Sequence, residues 1–470
     1  MSELASIASP VESFRDSVST IDKKGKRVWI FPRKPKGKYH TRRIFVSIIL
    51  LGLLFSGPFL TLNGHPFLLL NIIERKFILF GSVFWPQDFF LVALIMITTA
   101  VSIILFTISF GRLWCGWACP QTIFMEMVFR KIEYWIEGDA SHQKKLAKQE
   151  WNSEKLIKKS AKHAIFFFIS FLIANTFLAY IIGKDELFKI ISEPVSEHLA
   201  GFFSITVFTG IFYGVFAHFR EQACIVVCPY GRLQGVLLDK NSVVIGYDYL
   251  RGEKRAKFKK NEQRIAGDCI DCNQCVDVCP TGIDIRNGTQ LECINCTACM
   301  DACDFMMEKV NLKKGLIRYT SENDIAANKK FKTTPKILGY AAVLTILISA
   351  VIVLLTTRSE IDAVILRKPG MMYLERKNGD IANLYEIKII NKTFDNYNIK
   401  LESLNPDFNI EVLGPGLELK GHDKMQGEFF LVMTKNKIAK HSYPTKVKVT
   451  AGENIIEILE TKFVAPVRKS

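Results

Sequence analysis

The sequence predicts a multidomain membrane protein: an α-helical bundle of about five spans, a dicluster bacterial-ferredoxin-type insert, and a C-terminal all-β immunoglobulin-like sandwich. Long apolar runs, two cysteine quartets and a terminal stretch of alternating apolar and polar residues predict it. A helix crosses a bilayer with about twenty apolar residues. Five runs suffice, roughly Ile44 to Leu62, Phe89 to Phe110, Ala164 to Ile182, Gly201 to Phe219 and Ile337 to Leu355. The chain is 49% hydrophobic yet carries a formal net charge of +16, a combination that suits spans flanked by basic loops. Nucleic acid is the other usual reading of such charge, but the basic residues sit beside apolar runs rather than in a soluble basic domain.

Residues 1–43 read as a cytoplasmic segment, disordered at first and then basic from Lys23 through Arg27, Arg33, Lys38, Arg42 and Arg43. It is too polar and too long to be the start of a cleaved signal peptide. By the positive-inside rule it stays inside, as does the stretch Arg112 to Lys162 with Arg130, Lys131, Lys144, Lys145, Lys148, Lys155, Lys158 and Lys159. The short loops after the first and third spans carry few basic residues and fall outside. The chain then divides into a membrane domain at 44–250 with four spans, a cytoplasmic insert at 251–336, a fifth span at 337–357 and an outer domain at 358–470. All twelve cysteines lie on the inner side or at its membrane edge, where thiols stay reduced.

Cys269, Cys272, Cys275 and Cys279 form one C-x2-C-x2-C-x3-C quartet, and Cys293, Cys296, Cys299 and Cys303 a second. This spacing wraps three thiolates around one iron–sulfur cube while the fourth reaches the other. Crossed wiring assigns Cys269, Cys272, Cys275 and Cys303 to one [4Fe–4S] cluster and Cys293, Cys296, Cys299 and Cys279 to the second. Zinc fits poorly, because no histidine interleaves and the spacing is that of clusters. Disulfides fit worse, since eight closely spaced cysteines would pair only with strain. Pro280 follows the first quartet as in ferredoxins; Asp304 stands where the second would have proline, and its carboxylate is expected to shift the second cluster's potential.

The other four cysteines form a repeat, Trp114-Cys115-Gly116-Trp117-Ala118-Cys119-Pro120 after the second span and Ala223-Cys224-Ile225-Val226-Val227-Cys228-Pro229 after the fourth. Each C-x3-C-P is expected to set two sulfurs on one side of a helical turn. Two such turns brought together offer four soft ligands to copper(I) or a further cluster; the plain alternative is apolar packing. His163 and His218, also at inner span edges, read as ordinary boundary residues rather than haem ligands.

Beyond the fifth span, alternation marks strands at Tyr385 to Ile390, Tyr397 to Leu401, Phe408 to Val412, Phe429 to Val432, Thr445 to Val449 and Ile455 to Leu459, with further runs near Val364 and Tyr373. Seven or eight strands suit an immunoglobulin-like sandwich without its disulfide. Met371, Met372, Met425 and Met433 read as packing rather than copper ligands.

The run Gly267-Asp268-Cys269 through Cys279-Pro280-Thr281-Gly282-Ile283-Asp284-Ile285-Arg286, with Glu292-Cys293-Ile294 and Asp301-Ala302-Cys303-Asp304, resembles the cytochrome c oxidase accessory protein family, CcoG/FixG. Both C-x3-C-P turns, the Phe84-Trp85-Pro86-Gln87-Asp88-Phe89 stretch and the order of segments extend the likeness over most of the chain from about residue 40. The resemblance implies a multi-pass protein of the bacterial inner membrane, with the ferredoxin cytoplasmic and the sandwich periplasmic. It also implies a role in assembling cbb3-type cytochrome c oxidase by reducing Cu(II) to Cu(I), with assembly factors or copper chaperones as partners. Cys115, Cys119, Cys224 and Cys228 are then candidates for the copper site or a relay to it. Two other readings stay open: transfer of electrons from a cytoplasmic donor to a quinone or periplasmic reductase, and a scaffold with structural clusters. No Gly-rich dinucleotide loop or flavin motif is visible, so the electron donor is expected to be a separate partner.

Overall fold

The computed structural model describes residues 20–21, 24, 26–62, 65–72, 76–79, 81–85, 88–259, 265–327, 335–414, 416–421, 423–438, 440–452 and 454–466. The disordered start, Lys23, the Pro86-Gln87 pair and Pro415 lie outside them. Five helices are long and apolar enough to cross a membrane: Lys38–Phe59, Phe89–Phe110, Ser153–Ile182, Leu199–Phe219 and Ile337–Thr356. The chain forms two compact units. One takes residues 1–57, 93–179 and 184–349, and the other takes 58–92, 180–183 and 350–470.

In the first unit the first span departs from its expected bounds, 44 to 62. Its α-helix runs Lys38–Ser56, because a carboxylate caps it early and Pro58 cannot continue it. Asp301, between two cysteines of the second quartet, accepts the Tyr39 and His40 amides at 3.1 and 2.7 Å, and so satisfies orphan N–H groups at a positive helix end. The third span also starts early, at Ser153. Its polar leading turns add an amphipathic extension that hydropathy alone does not reveal.

Between the membrane helices and the quartets lies a buried ion network. Glu133 pairs with Lys162 at 3.3 Å and with Arg220; Glu137 holds Lys159 and Lys162, each at 2.8 Å; Arg130 pairs with Glu126 at 2.6 Å. Burial would raise the Glu133 carboxyl, but Arg220, Lys162 and Arg130 outweigh it and hold it down to about 2. The expected exposed basic loop is thus partly internal, since Arg130, Lys155 and Lys162 are buried.

The second unit is a sandwich of antiparallel sheets. One orders Phe408–Leu413, Lys424–Met433, Ile381–Asn391 and Ile361–Arg367, with Leu374–Glu375 also on the third; the other orders Leu417–Leu419, Tyr397–Ser403, Ser442–Ala451 and Asn454–Val464. The strand Leu417–Leu419 was not expected, being too short to alternate visibly. Inward residues Tyr385, Ile387, Ile389, Phe429, Leu431, Val447, Val449 and Phe463 are wholly buried, the alternation of a half-buried strand. Met433 lies in this core and Met425 packs against it, while Met371 and Met372 stand exposed.

The loop after the first span is neither short nor bare. It forms strands Leu68–Asn71, Lys76–Leu79 and Ser82–Phe84, and Leu69, Ile78, Val83 and Trp85 pack against Ile390. Buried Asp88 joins it to the sandwich by pairing with Arg358 and, at 3.0 Å, Lys392. The segments after the first and fifth spans belong to one unit, whereas the segment after the third belongs from Lys184 onward to the other.

Replacing Glu133 with alanine strands Arg220 as a buried charge, while Lys162 keeps Glu137. Unfolding in detergent should show a loss of about 3–5 kcal/mol, the cost of breaking a buried pair. Because the folded carboxyl lies below its ordinary 4.5, its contribution is complete above about pH 4.5 and fades as the pH falls toward 2. An unchanged unfolding midpoint in the variant would contradict the network's role.

Candidate functional site

Each quartet begins with a loop whose backbone turns twice through the left-handed region. Asp271 and Asn273 flank Cys272 with φ of 52° and 56°, and Asn295 and Thr297 flank Cys296 with 52° and 65°. Asp and Asn tolerate this conformation; a β-branched threonine does so only under local constraint. The repeated pair curls the chain around an enclosed space and points amides inward, so that Asn295 and Ala298 N–H groups donate to the Cys293 and Cys296 sulfurs.

Two apolar cavities result. One, of ≈ 340 Å³, is lined by Cys269, Cys272, Cys275 and Cys303 together with Tyr247, Met307 and Leu316. The other, with ≈ 320 Å³ of space including its mouth, is lined by Cys279, Cys293, Cys296 and Cys299 with Ile245, Ile283 and Ile285, and Cys275 lines both. The fourth cysteine of each quartet thus faces the other quartet's cavity. Asp304 follows Cys303, so its carboxylate raises that thiol and belongs beside the first cavity. The expectation that it tunes the second cluster is corrected, because crossing the chain exchanges the neighbours. Its Oδ1 also accepts the Gly315 amide at 2.8 Å.

Donor chemistry suits iron–sulfur clusters. Burial pushes the Cys275 and Cys293 thiols up to about 12 and Cys296 to about 11, and raises Cys299 and Cys303 as well. Buried thiolates are costly without a cation, and coordination to a metal deprotonates the thiol outright. Eight sulfurs in two closed apolar shells, with amides aimed at sulfur, meet the requirements of such a group.

The C-x3-C-P turns meet in the same unit. Cys224 lies within electrostatic range of Cys119, Cys115 and Cys228, and Cys115 of Cys119 and Cys228. Neither pair rides one helical turn as expected. Cys115 lies in the helix Leu113–Trp117, whereas Cys119 is extended and caps Pro120–Ile123; Cys224 lies in the π-turn Ala223–Val227, and extended Cys228 caps Pro229–Leu237. The proline causes this, since it pushes the preceding residue out of the helical region and then starts a helix of its own.

Residues beyond the motifs complete the site. Cys115 Sγ meets Gln234 Oε1 at 3.1 Å, and Gln234 Nε2 donates to Thr107 Oγ1 at 3.3 Å. Burial pushes the Cys115 and Cys224 thiols up to about 12. Buried Arg112 donates to the carbonyls of Leu291 and Gly231, and its charge reaches both Cys115 and Cys293. Arg43 Nε donates to the Gly116 carbonyl at 2.6 Å and its charge reaches Cys296. A Cβ on Gly116 would collide with the Ile294 carbonyl oxygen and lie 2.9 Å from the Asn295 carbonyl carbon, so the first turn rests directly on the second quartet's loop. Cys115 packs in one cluster with Ile294 and Cys296. Sequence reading counted Arg43 and Arg112 as loop charge; a glycine between the paired cysteines was the available signal of close approach. His163 and His218 line one cavity apart from these sulfurs, with His163 Nδ1 2.8 Å from Tyr213 Oη.

Segments of the chain match known families. Residues 219–322 match the 4Fe-4S dicluster domain family, residues 92–139 a 4Fe-4S binding domain, and residues 351–466 the IG-like fold at the C-terminal of FixG. Protein RdxB of Cereibacter sphaeroides is 34% identical over 387 residues, covering 78% of this chain and 80% of its own. Nitrogen fixation protein FixG of Rhizobium meliloti is 31% identical over 410 residues (78% and 77%), and Protein RdxA of Cereibacter sphaeroides 33% over 394 (80% and 82%). The crystal structure of a FixG-related protein from Vibrio parahaemolyticus aligns at 20% identity and a TM-score of 0.20, covering 23% of this chain and 99% of that one.

Exchange of Cys279 for serine should disturb the cluster signal associated with Cys293, Cys296 and Cys299 while sparing that of Cys269, Cys272 and Cys275. Electron paramagnetic resonance of the reduced protein, compared with Cys293→Ser, checks this. If Cys279→Ser reproduces the Cys269→Ser spectrum instead, the crossed assignment is wrong.

Proposed function

The chain belongs to the family of FixG and RdxA, multi-pass iron–sulfur electron-transfer proteins, and from that premise we propose that it assists assembly of a cbb3-type cytochrome c oxidase by reducing Cu(II) to Cu(I). One observation supports the proposal: Cys115 packs with Ile294 and Cys296, and Gly116 rests on the Ile294 and Asn295 backbone, so a metal held by Cys115 would border the second quartet. Bound [4Fe–4S] clusters supply single electrons. Cys269, Cys272, Cys275 and Cys303 hold one, and Cys279, Cys293, Cys296 and Cys299 the other.

Residues of the chain give this transfer a direction. Cys272 is the one exposed cysteine of the eight, so the first quartet would face an electron-donating partner, while the second quartet's Cys296 packs with Cys115. Each Cu(II) takes one electron to become Cu(I), which thiolates prefer over harder ligands. Cys115, Cys119, Cys224 and Cys228 capture it, Gln234 orients the Cys115 sulfur, and Arg43 and Arg112 offset the thiolates' charge. Assembly factors or copper chaperones are the recipients.

The ferredoxin faces the cytoplasm and the sandwich the periplasm. Membership of the segments after spans one and five in one unit supports this, because those segments share a side when every span crosses. Electron transfer to a quinone is favoured by a different observation: an open cleft lined by Leu291 and Glu292, next to Cys293, and by Ile225 and Gly231 near Cys224 and Cys228. Quinone-dependent oxidation of the reduced protein, without copper dependence, selects that reading.

Two measurements test the proposal. Cys115→Ser and Cys224→Ser should each abolish copper reduction, by at least about 100-fold, and leave both ferredoxin signals unchanged. The double variant should be little worse, as for ligands of one centre; full activity in both singles overturns the shared site. A reporter fused after Arg358 should be periplasmic and one after Lys313 cytoplasmic. Both on one side would overturn the topology.

A further inference from the structure

The first unit holds a second large cavity, apart from the sulfur sites, with ≈ 1230 Å³ of space including its mouth. Four cationic residues line it, Lys155, Lys159, Lys162 and Arg220, against two carboxylates, Glu133 and Glu137. Both carboxylates are already engaged, Glu137 by Lys159 and Lys162 and Glu133 by Lys162 and Arg220. The lining therefore keeps an excess of two positive charges. Within that excess, the Lys155 ammonium donates to the Ala147 carbonyl at 3.2 Å and sits 5.1 Å from the Trp151 ring centre.

Its place along the third span is informative. Lys155, Lys159 and Lys162 recur at helical spacing on one face of Ser153–Ile182, and His163 follows. The helix then turns apolar at Ile165, Phe166, Phe167 and Phe168. The cavity thus sits where the polar and apolar parts of a span meet, the level of phospholipid headgroups. Trp29, Phe31, Trp151 and Tyr213 also line it. Trp29 is 42% exposed and Trp151 73%, as for aromatic side chains that sit at a membrane surface. Below it Phe167 and Phe168 are exposed, and the Phe167 ring lies 6.0 Å from that of Tyr213, an apolar track on which an acyl chain can lie.

We infer that this cavity binds the phosphate headgroup of an anionic phospholipid, with its chains along the exposed face of the third span. Basic pockets between spans on the inner side recognise such headgroups through phosphate oxygens. Lys159 is the contact best able to donate, since its side chain is 25% exposed and Glu137 retains Lys162 if Lys159 turns to a ligand. The inference stands apart from the electron-transfer proposal and rests only on these helices being spans.

Native mass spectrometry of the full-length protein, delipidated in mild detergent and titrated with phosphatidylglycerol or phosphatidylcholine, tests it. Phosphatidylglycerol should remain bound where phosphatidylcholine does not, and Lys159→Gln should weaken it about fivefold, the effect of one basic residue at a membrane surface. Trp151→Ala serves as a second variant whose exposed site spares folding, and it should also weaken binding. Equal retention of both lipids, or unchanged binding in both variants, overturns the inference. Competition by millimolar inorganic phosphate that removes the lipid fully would assign the cavity to a soluble anion instead. A Soret band in the purified protein would assign it, through His163 and His218, to haem.

Discussion

The contact on which the first unit depends is the seating of the Cys115-Gly116-Trp117 turn on the Ile294–Asn295 backbone. It requires glycine at 116, because any Cβ would meet the Ile294 carbonyl. Two buried guanidinium groups seal it. Arg43 reaches from the first span to the Gly116 carbonyl, and Arg112 clasps the carbonyls of Leu291 and Gly231. Trp117 Nε1 meets Tyr319 Oη at 3.3 Å, and that hydroxyl donates to the Asn295 carbonyl at 3.3 Å. A ferredoxin-like insert could otherwise hang from a flexible tether. Here its second quartet is held against the helix ends by carbonyl contacts that tolerate little displacement.

Charge plays an unusual part in this attachment. Burying ion pairs seldom adds much stability over apolar packing, because desolvation offsets the attraction, but removing one partner is expensive. Such pairs are therefore well suited to fixing register. Asp301 ties the first span's leading turn to the helix of the second quartet, Glu133 ties the third span to Arg220 beyond the fourth, and Asp88 ties the segment ahead of the second span to the sandwich. Each joins segments distant in sequence. Positive-inside counting treats several of these cations as loop markers, whereas the fold uses them as internal fasteners as well.

The two redox-type motifs also illustrate how proline and left-handed residues shape ligand geometry. In the C-x3-C-P turns proline ends one helical stretch and starts another, so the second sulfur emerges from an extended residue. In the quartets, paired left-handed residues curl the loop without glycine. Both devices bring sulfur to a centre that regular helix geometry would not form.

Much of this was legible in the chain itself. Twenty-residue apolar runs, cysteines at cluster spacing and period-two alternation each report a local requirement, namely a bilayer's thickness, a cube's corners and a pleat's two faces. The quartet sulfurs line two cavities in the grouping that spacing suggests, the C-x3-C-P sulfurs do not ride single helical turns, and the spans and sandwich lie where hydropathy and alternation put them. Helix ends were less legible, since the early start at Lys38 depends on a cap from residue 301. So were the short strand Leu417–Leu419, the strands after the first span, and the roles of Arg43, Arg112, Gln234 and Gly116. Asp304 was assigned to the wrong neighbour because chain crossing, a property of three dimensions, decides which quartet a residue borders. Sequence by itself determined which atoms could bind metal and which segments could enter a membrane, because those are properties of composition and local period. Only the tertiary structure decided which cations face inward and how closely two backbones approach, because each depends on contacts between residues far apart in the chain.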